Sequence, residues 1–308
     1  MKEKNKLGQF YTTNSKYITT GLLNILKDNP IVDPFAGTGE LSSLVNNLEM
    51  YDIKPKASNI KTRDSLINPI DYKGKFVLTN PPYLARNKST DKTIYDLYSV
   101  DDLYKASLFS IVGCEGGVII LPINFLSSLD DSTRVKFLSK YKILKVNVFE
   151  ETVFEDTSYT ICAFSFIKKD NIEQEIEFRF FPNKETRLFN IKKCEGYRIG
   201  YELFNLKKSS VKIGRLLIGQ IPSTKMFLNA IDTGTEKGQI KLSIRNEAYY
   251  GKQTDRAFAT ISSDRNFSIK EQELIVYEFN KLLRKNRDKY KSLFLTNYRN
   301  STSFSSRK

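Results

Sequence analysis

The sequence predicts an α/β fold, a doubly wound and mostly parallel seven-stranded sheet over residues 1–170, followed by a basic α+β domain over residues 171–308. Three observations predict it. Short apolar runs alternate with stretches of helical periodicity through the first half, the pattern of an open sheet wrapped by helices. Around Lys168–Gln174 the composition turns polar and charged, which marks a boundary. Charge is also unevenly placed: residues 1–170 hold 22 Lys and Arg against 20 Asp and Glu, net +2, whereas residues 171–308 hold 27 against 15, net +12. The two halves therefore have different tasks.

Strands are expected at Pro30–Asp33, Leu48–Ile53, Asn59–Thr62, Phe76–Thr79, Gly117–Leu121, Ile143–Phe149 and Thr160–Ile167, each a short apolar run bounded by polar or turn-forming residues. Leu41–Leu48, Leu97–Val112 and Ser132–Tyr141 carry apolar residues at helical spacing. Only Glu150–Tyr159 separates the last two strands, so they are expected to pair antiparallel at one edge of the sheet. In the second half, strand-like pieces lie at Ile176–Phe181, Lys212–Ile218, Ile240–Ile244 and Ala257–Ile261, and a long helix spans Ile269–Lys291.

The chain has no His and three Cys. The missing imidazole excludes Ser-His-Asp and Cys-His nucleophiles, His-dependent nuclease chemistry and every His-containing metal site. Cys114, Cys162 and Cys194 are too few and too scattered for an all-Cys zinc site or a disulfide framework, so no metal and a reducing compartment are expected. No apolar run approaches the roughly 20 residues of a membrane span, and Met1-Lys2-Glu3-Lys4 leads into no apolar segment. A cytoplasmic protein is expected, and a formal charge of +14 suits a polyanion partner.

Asp33-Pro34-Phe35-Ala36-Gly37-Thr38-Gly39 stands where the first strand ends and a helix should begin. Small residues there let the backbone approach a ligand closely, although a tight strand-to-helix turn accounts for them equally well. Asp52 ends the second strand, where a carboxylate accepts from ribose hydroxyls, with Ile53 next to it. Asp64 follows the third strand, placed to meet an adenine amino group. With no Lys or Arg in the turn, three acidic strand ends suit a neutral or cationic nucleoside better than a pyrophosphate. Asn80-Pro81-Pro82-Tyr83 ends the fourth strand. A stiff Pro-Pro turn with a packing Tyr is one reading. In the other, the Asn80 amide oxygen and the Pro81 carbonyl accept both N–H bonds of an exocyclic amine, and Tyr83 offers a stacking face. Two acceptors on one amine pull its nitrogen toward sp³ and make it nucleophilic without a general base.

In the order of these motifs the sequence resembles the gamma-arranged N6-adenine DNA methyltransferases, which use S-adenosylmethionine. Leu7-Gly8-Gln9-Phe10-Tyr11-Thr12-Thr13 is similar to the family's N-terminal cofactor motif, with Thr13 in place of the usual Pro. Asp33–Glu40, Asp52, Asp64 and Asn80–Tyr83 are similar to the motifs that follow. Asp96-Leu97-Tyr98, Gly116–Pro122 and Glu151-Thr152-Val153-Phe154 continue the series, so the match covers residues 7 to 167. The resemblance implies a class I methyltransferase sheet and a cofactor site of Tyr11, Thr12, Asp33, Pro34, Phe35, Ala36, Gly37, Gly39, Asp52, Ile53, Asp64, Asn80 and Pro82. It implies that Asn80, Pro81 and Pro82 form the catalytic turn, and that Tyr83 and Phe154 sandwich a flipped adenine. Phe149 and Tyr159 are near enough in sequence to compete with Phe154 for that place.

The resemblance also implies that residues 171–308 read double-stranded DNA, which their charge suits. Lys281–Lys291 reads equally as a phosphate-binding run or a solvated helix face. Tyr249, Tyr250, Lys252, Arg256 and Arg265 look like a binding loop. The partners implied are duplex DNA and, in a restriction-modification setting, a cognate endonuclease, in a cytoplasmic, nucleoid-associated protein. An RNA adenine methyltransferase and a non-catalytic DNA-binding module are the rival readings.

Overall fold

The computed structural model describes residues 14–128, 132–154, 160–170, 175–191, 211–215, 223–229, 240–245 and 258–293. The chain divides into two compact units, Met1–Phe125 with Asp130–Tyr197, and Leu126–Leu129 with Arg198–Lys308.

The first unit is built on a nine-stranded mixed sheet. Its strands are β1 (Ile31–Asp33), β2 (Leu48–Asp52), β3 (Lys61–Thr62), β4 (Phe76–Thr79), β5 (Gly116–Pro122), β6 (Tyr141–Phe149), β7 (Ile161–Lys168), β8 (Ile176–Phe181) and β9 (Glu185–Phe189). They lie in the order β3-β2-β1-β4-β5-β7-β6-β8-β9. The first five run parallel, and β7 runs antiparallel to both β5 and β6. All seven expected strands are present, within two residues of their expected ends.

Two differences stand out. The sheet continues past the expected boundary at residue 170, because β8 pairs parallel with β6 and β9 antiparallel with β8. Phe178, Phe180 and Phe181 are buried there, so this segment belongs to the sheet's core. In consequence the β6–β7 pair, antiparallel as its short connection requires, is interior and not at the edge. Lys168, Lys169 and Asp170, at the expected boundary, are exposed and belong to the first unit.

The helices are shorter than their periodicity suggests. Leu41–Leu48 contains only a 3-10 turn, Glu40–Leu44, and Asn47 at φ +56° then redirects the chain into β2. The expected helix Leu97–Val112 is two helices, α1 (Thr93–Tyr98) and α2 (Leu103–Ser110). Ser99 at φ +53° ends the first, and the Asp102 carboxylate caps the second by accepting from the Tyr104 N–H at 3.3 Å. A third, α3 (Ser132–Leu138), follows as expected. Near the N-terminus, the buried Asn147 amide of β6 donates to the carbonyls of Ile18 (3.1 Å) and Thr20 (2.9 Å). Tyr17 packs edge-on against Phe181 and donates to Glu151 at 2.5 Å, which ties residues 14–20 to the sheet.

In the second unit, β10 (Val211–Arg215), β11 (Met226–Asn229), β12 (Lys241–Ile244) and β13 (Phe258–Ser263) form an antiparallel sheet in the order β10-β13-β11-β12. The long helix α4 (Ile269–Tyr290) begins at a capping box between Ser268 and Glu271. It is stitched to the sheet by polar groups: Gln272 Oε1 accepts from Lys225 N at 2.8 Å, and Asn280 exchanges two 2.9 Å bonds with the Leu242 backbone. Residues 198–308 hold 22 Lys and Arg against 10 Asp and Glu, net +12. The strands that move to the first unit thus take no net charge with them. No described helix is long and apolar enough to cross a membrane.

Candidate active site

Parallel strands end on one edge of the sheet, and in such sheets the crevice beyond those ends is where ligands bind. Here the end of β1 carries Asp33, the end of β2 carries Asp52, and Asn80 follows β4. Together with Asp64, which follows β3, these residues border one cavity of about 270 Å³.

The turn after β1 is held tightly. The Ala36 N–H donates to the Tyr51 carbonyl at 2.8 Å, the Gly39 N–H to Ala36 at 2.7 Å, and the Gly37 N–H to Asp52 Oδ2 at 2.8 Å. Gly37 and Gly39 sit at φ +57° and +84°, in the left-handed region that glycine enters at no steric cost. Asp52 Oδ1 in turn accepts from the Lys54 N–H at 2.8 Å. Asp64 Oδ1 accepts from the N–H groups of Leu66 (3.0 Å) and Ile67 (3.2 Å), which closes the turn after β3.

Asp33 is 1% exposed and accepts from the Thr79 hydroxyl at 2.6 Å and the Phe35 N–H at 3.0 Å. Burial pushes its carboxyl up to about 7, reinforced by the charges of Asp52 and Glu40, against the pull of those two hydrogen bonds. Among the described residues, five carboxylates border the cavity: Asp33, Glu40, Asp52, Asp64 and Asp91. Arg63, the one guanidinium there among the described residues, is committed to its own turn, donating to the carbonyls of Asn68 (2.8 Å) and Pro69 (2.9 Å). The remaining wall is largely apolar, with Ile53 and Ile67 both exposed. An acidic pocket with apolar walls suits a ligand that combines a flat apolar group with positive charge.

Nine of the expected residues meet here: Asp33, Phe35, Ala36, Gly37, Asp52, Ile53, Asp64, Asn80 and Pro82. Pro34, Gly39, Pro81, Tyr83 and Phe154 do not border the cavity. Tyr83 and Phe154 are each 3% exposed, so these two described side chains form no open aromatic sandwich. The Tyr83 hydroxyl donates to the Ile120 carbonyl at 2.8 Å and also meets the Asn80 side-chain oxygen, which ties it to the turn it follows. Phe149, the alternative to Phe154, stacks on Phe181 in the core. Tyr11, Thr12, Tyr159 and the loop residues Tyr249, Tyr250, Lys252 and Arg256 lie outside the described residues. Arg265 pairs with Glu271 at the start of α4, at 2.6 Å.

Sequence reasoning missed one wall. Ser89, Asp91, Thr93, Ile94 and Tyr95, on the segment after the Asn-Pro-Pro-Tyr turn, border the cavity, as does Leu103. The tripeptide Asp-Leu-Tyr occurs twice, at 96–98 and at 102–104. Leu97 of the first copy is 61% exposed, and Leu103 of the second borders the cavity. The repeat was the available signal; only packing separates the copies.

No protein-family model and no curated protein matches the sequence. Among solved structures, the chain is similar to the modification subunit of a putative type I restriction enzyme from Vibrio vulnificus YJ016, at 14% identity and a TM-score of 0.40, over 64% of this chain and 51% of that one. It is similar to a type I restriction-modification methyltransferase subunit from Streptococcus thermophilus, at 17% identity and 0.41, over 57% and 48%. A third is a putative class I S-adenosylmethionine-dependent methyltransferase from Listeria monocytogenes, at 15% and 0.41, over 55% and 65%. The chain spans about half the length of the first two. At these identities and TM-scores the likeness does not bear on the chemistry of this chain.

Proposed function

We propose that the chain is an S-adenosylmethionine-dependent DNA methyltransferase that modifies N6 of adenine in duplex DNA. One observation carries the reading: a single cavity at the strand ends gathers the glycine turn, Asp52, Asp64 and the Asn80-Pro82 turn, in a sheet whose order places β1 and β4 side by side within it. The residues fit the cofactor. Asp52 borders the cavity at the end of β2, where a carboxylate suits ribose hydroxyls. Ile53 and Ile67 offer apolar surface for a purine, and the surrounding carboxylates favour a sulfonium and an ammonium.

S-adenosylmethionine supplies an electrophilic methyl group on sulfur. The protein's part is to place an amine in line with it. Asn80 Oδ1 and the Pro81 carbonyl accept the two N–H bonds of the target amine, concentrating its lone pair on nitrogen. The rigid Pro81-Pro82 pair holds that geometry, and proximity in a water-poor cleft supplies most of the rate. The proton leaves after transfer, when the amine is cationic and acidic, so no imidazole is needed. Residues 198–308, net +12, supply phosphate contacts.

The test is direct: the protein is incubated with cofactor and unmodified duplex DNA, which is then sequenced by a method that detects N6-methyladenine. Marks at a recurrent site support the reading. Unmodified DNA from a protein that binds the cofactor removes the DNA assignment, and methylation of RNA alone moves it to the rival substrate.

A further inference from the structure

The Asn80-Pro81-Pro82-Tyr83 turn runs directly into a clamp. Residues 84–86 pair backbone to backbone with residues 101–103: the Leu103 N–H donates to the Leu84 carbonyl at 3.1 Å, and the Arg86 N–H to the Asp101 carbonyl at 2.7 Å. The buried Tyr95 of α1 donates its hydroxyl to the same Leu84 carbonyl at 2.9 Å. Asp102 closes the other side. Its half-buried carboxylate accepts from the Leu84 N–H and, as the cap of α2, from the Tyr104 N–H at 3.3 Å. Leu84 is therefore held at its N–H and at its carbonyl, while the Tyr83 hydroxyl before it is held by the Ile120 carbonyl and meets the Asn80 side-chain oxygen. A helix cap needs only a hydroxyl or amide oxygen, so a carboxylate that also reaches Leu84 does more than cap.

We propose that Asp102 is a positioning residue for methyl transfer: its ionised carboxylate holds Leu84 and, through Tyr83, keeps the Asn80 acceptor in its working geometry. The proposal rests on the methyltransferase reading above, and Asp102 itself does not border the cavity. Two N–H donors call for an acceptor that carries no proton. Protonation sets an O–H against one of them and slackens the clamp. Exclusion of water pushes the Asp102 carboxyl up to about 6, against the pull of the Tyr104 N–H; the charge of Asp101 adds to the rise, and Lys105 and the Leu84 N–H oppose it. Tyr83 and Tyr95 face it from the turn and from α1. Burial raises both phenols above their ordinary value, so neither changes charge between pH 5 and pH 8. The grip on the turn therefore follows the charge of Asp102.

The experiment compares full-length protein with its Asp102→Asn variant in single turnovers on duplex DNA, at saturating S-adenosylmethionine, from pH 5 to pH 8. Asparagine keeps the cap and stands in for the protonated acid. At pH 8 the variant should transfer about tenfold more slowly or worse, the cost of a misplaced acceptor. The ratio of the two rates should shrink toward one at pH 5, with half of the change near pH 6. Asp33 titrates in both proteins, so its effect cancels in that ratio. Cofactor affinity by calorimetry should be the same in both, and amide exchange over residues 80–86 at pH 8 should be faster in the variant. A ratio that does not vary with pH, or unchanged exchange, overturns the proposal and leaves the function reading standing. If Asp102→Asn does not fold, Asp102→Ser, which also caps a helix, takes its place with the same expectations. Absence of transfer by the cofactor-bound wild type at every pH removes the methyltransferase reading and this proposal with it.

Discussion

The backbone N–H of Gly37 donates to the carboxylate of Asp52 across 2.8 Å, joining the turn after β1 to the end of β2. One residue thereby shapes the glycine turn and also stands where a ribose would bind. Asp52→Ala should weaken S-adenosylmethionine binding more than tenfold and lower stability by about 1–3 kcal/mol, since the Gly37 and Lys54 N–H groups both lose their acceptor. Asp52→Asn keeps one acceptor oxygen and should fall between the two. Calorimetry alongside thermal melting checks this; an Ala variant with unchanged affinity would remove Asp52 from the site.

Asp33 gives the fold a pH dependence with a defined sign. Its carboxyl lies near 7 in the folded chain against 3.8 ordinarily, because burial disfavours the charge. The folded state therefore binds the extra proton between those values, and stability falls as pH rises from about 4 to 7. Asp33→Asn keeps an acceptor for Thr79 and Phe35 while removing that charge. The variant's stability relative to wild type should rise across this window, by about 1–3 kcal/mol in all. Melting at pH 5 and pH 8 decides it, and a difference constant with pH contradicts the assignment.

Asn80→Ala should keep cofactor and DNA binding and lose methyl transfer by about 10³-fold or more, because it removes an acceptor that acts on the target amine. Tyr83→Phe separates two roles at the same turn. It retains the ring and loses the hydroxyl that meets Ile120 and Asn80. A fall in stability of about 1 kcal/mol is expected. Single-turnover rates of both variants, beside their melting curves, provide the check.

Gly117 lies in β5 where an added Cβ would come within 2.2 Å of the Val77 carbonyl oxygen. That is backbone of the adjacent strand, which cannot move without opening the β4–β5 pairing below the site. Gly117→Ala should cost about 3 kcal/mol or more, or prevent folding. A melting temperature within two or three degrees of wild type would show that the strands separate more easily than this contact implies.

Truncation tests the division of labour. A fragment ending at Asp170 loses β8, and with it the buried Phe178, Phe180 and Phe181, so it should aggregate. One ending at Tyr197 keeps all nine strands and should stay folded and bind cofactor without binding DNA. The intact chain's DNA affinity should fall steeply with salt. Salt-sensitive DNA binding by the shorter, folded fragment would contradict the charge argument.

How much was legible followed from the range of the interactions involved. Alternation of apolar runs with polar ones is local, so β1 to β7 could be read to within two residues. The spacing of Asp33, Asp52, Asp64 and Asn80 from strand ends is local too, and they meet in one cavity. The absence of His and the asymmetric charge likewise needed only the sequence. Other features depended on distant partners. The affiliation of Phe178 and Phe180 with the first unit rests on pairing with β6, some thirty residues earlier, which no composition change near 170 could reveal. That Leu103 borders the cavity while Leu97 is exposed rests on packing. The displaced proton equilibria of Asp33 and Asp102 exist only because other elements remove water from them. Sequence by itself determined which groups stand at strand ends, since strand periodicity is a near-neighbour property. Tertiary structure decided which of them are buried or paired, because burial is a property of everything packed around a residue.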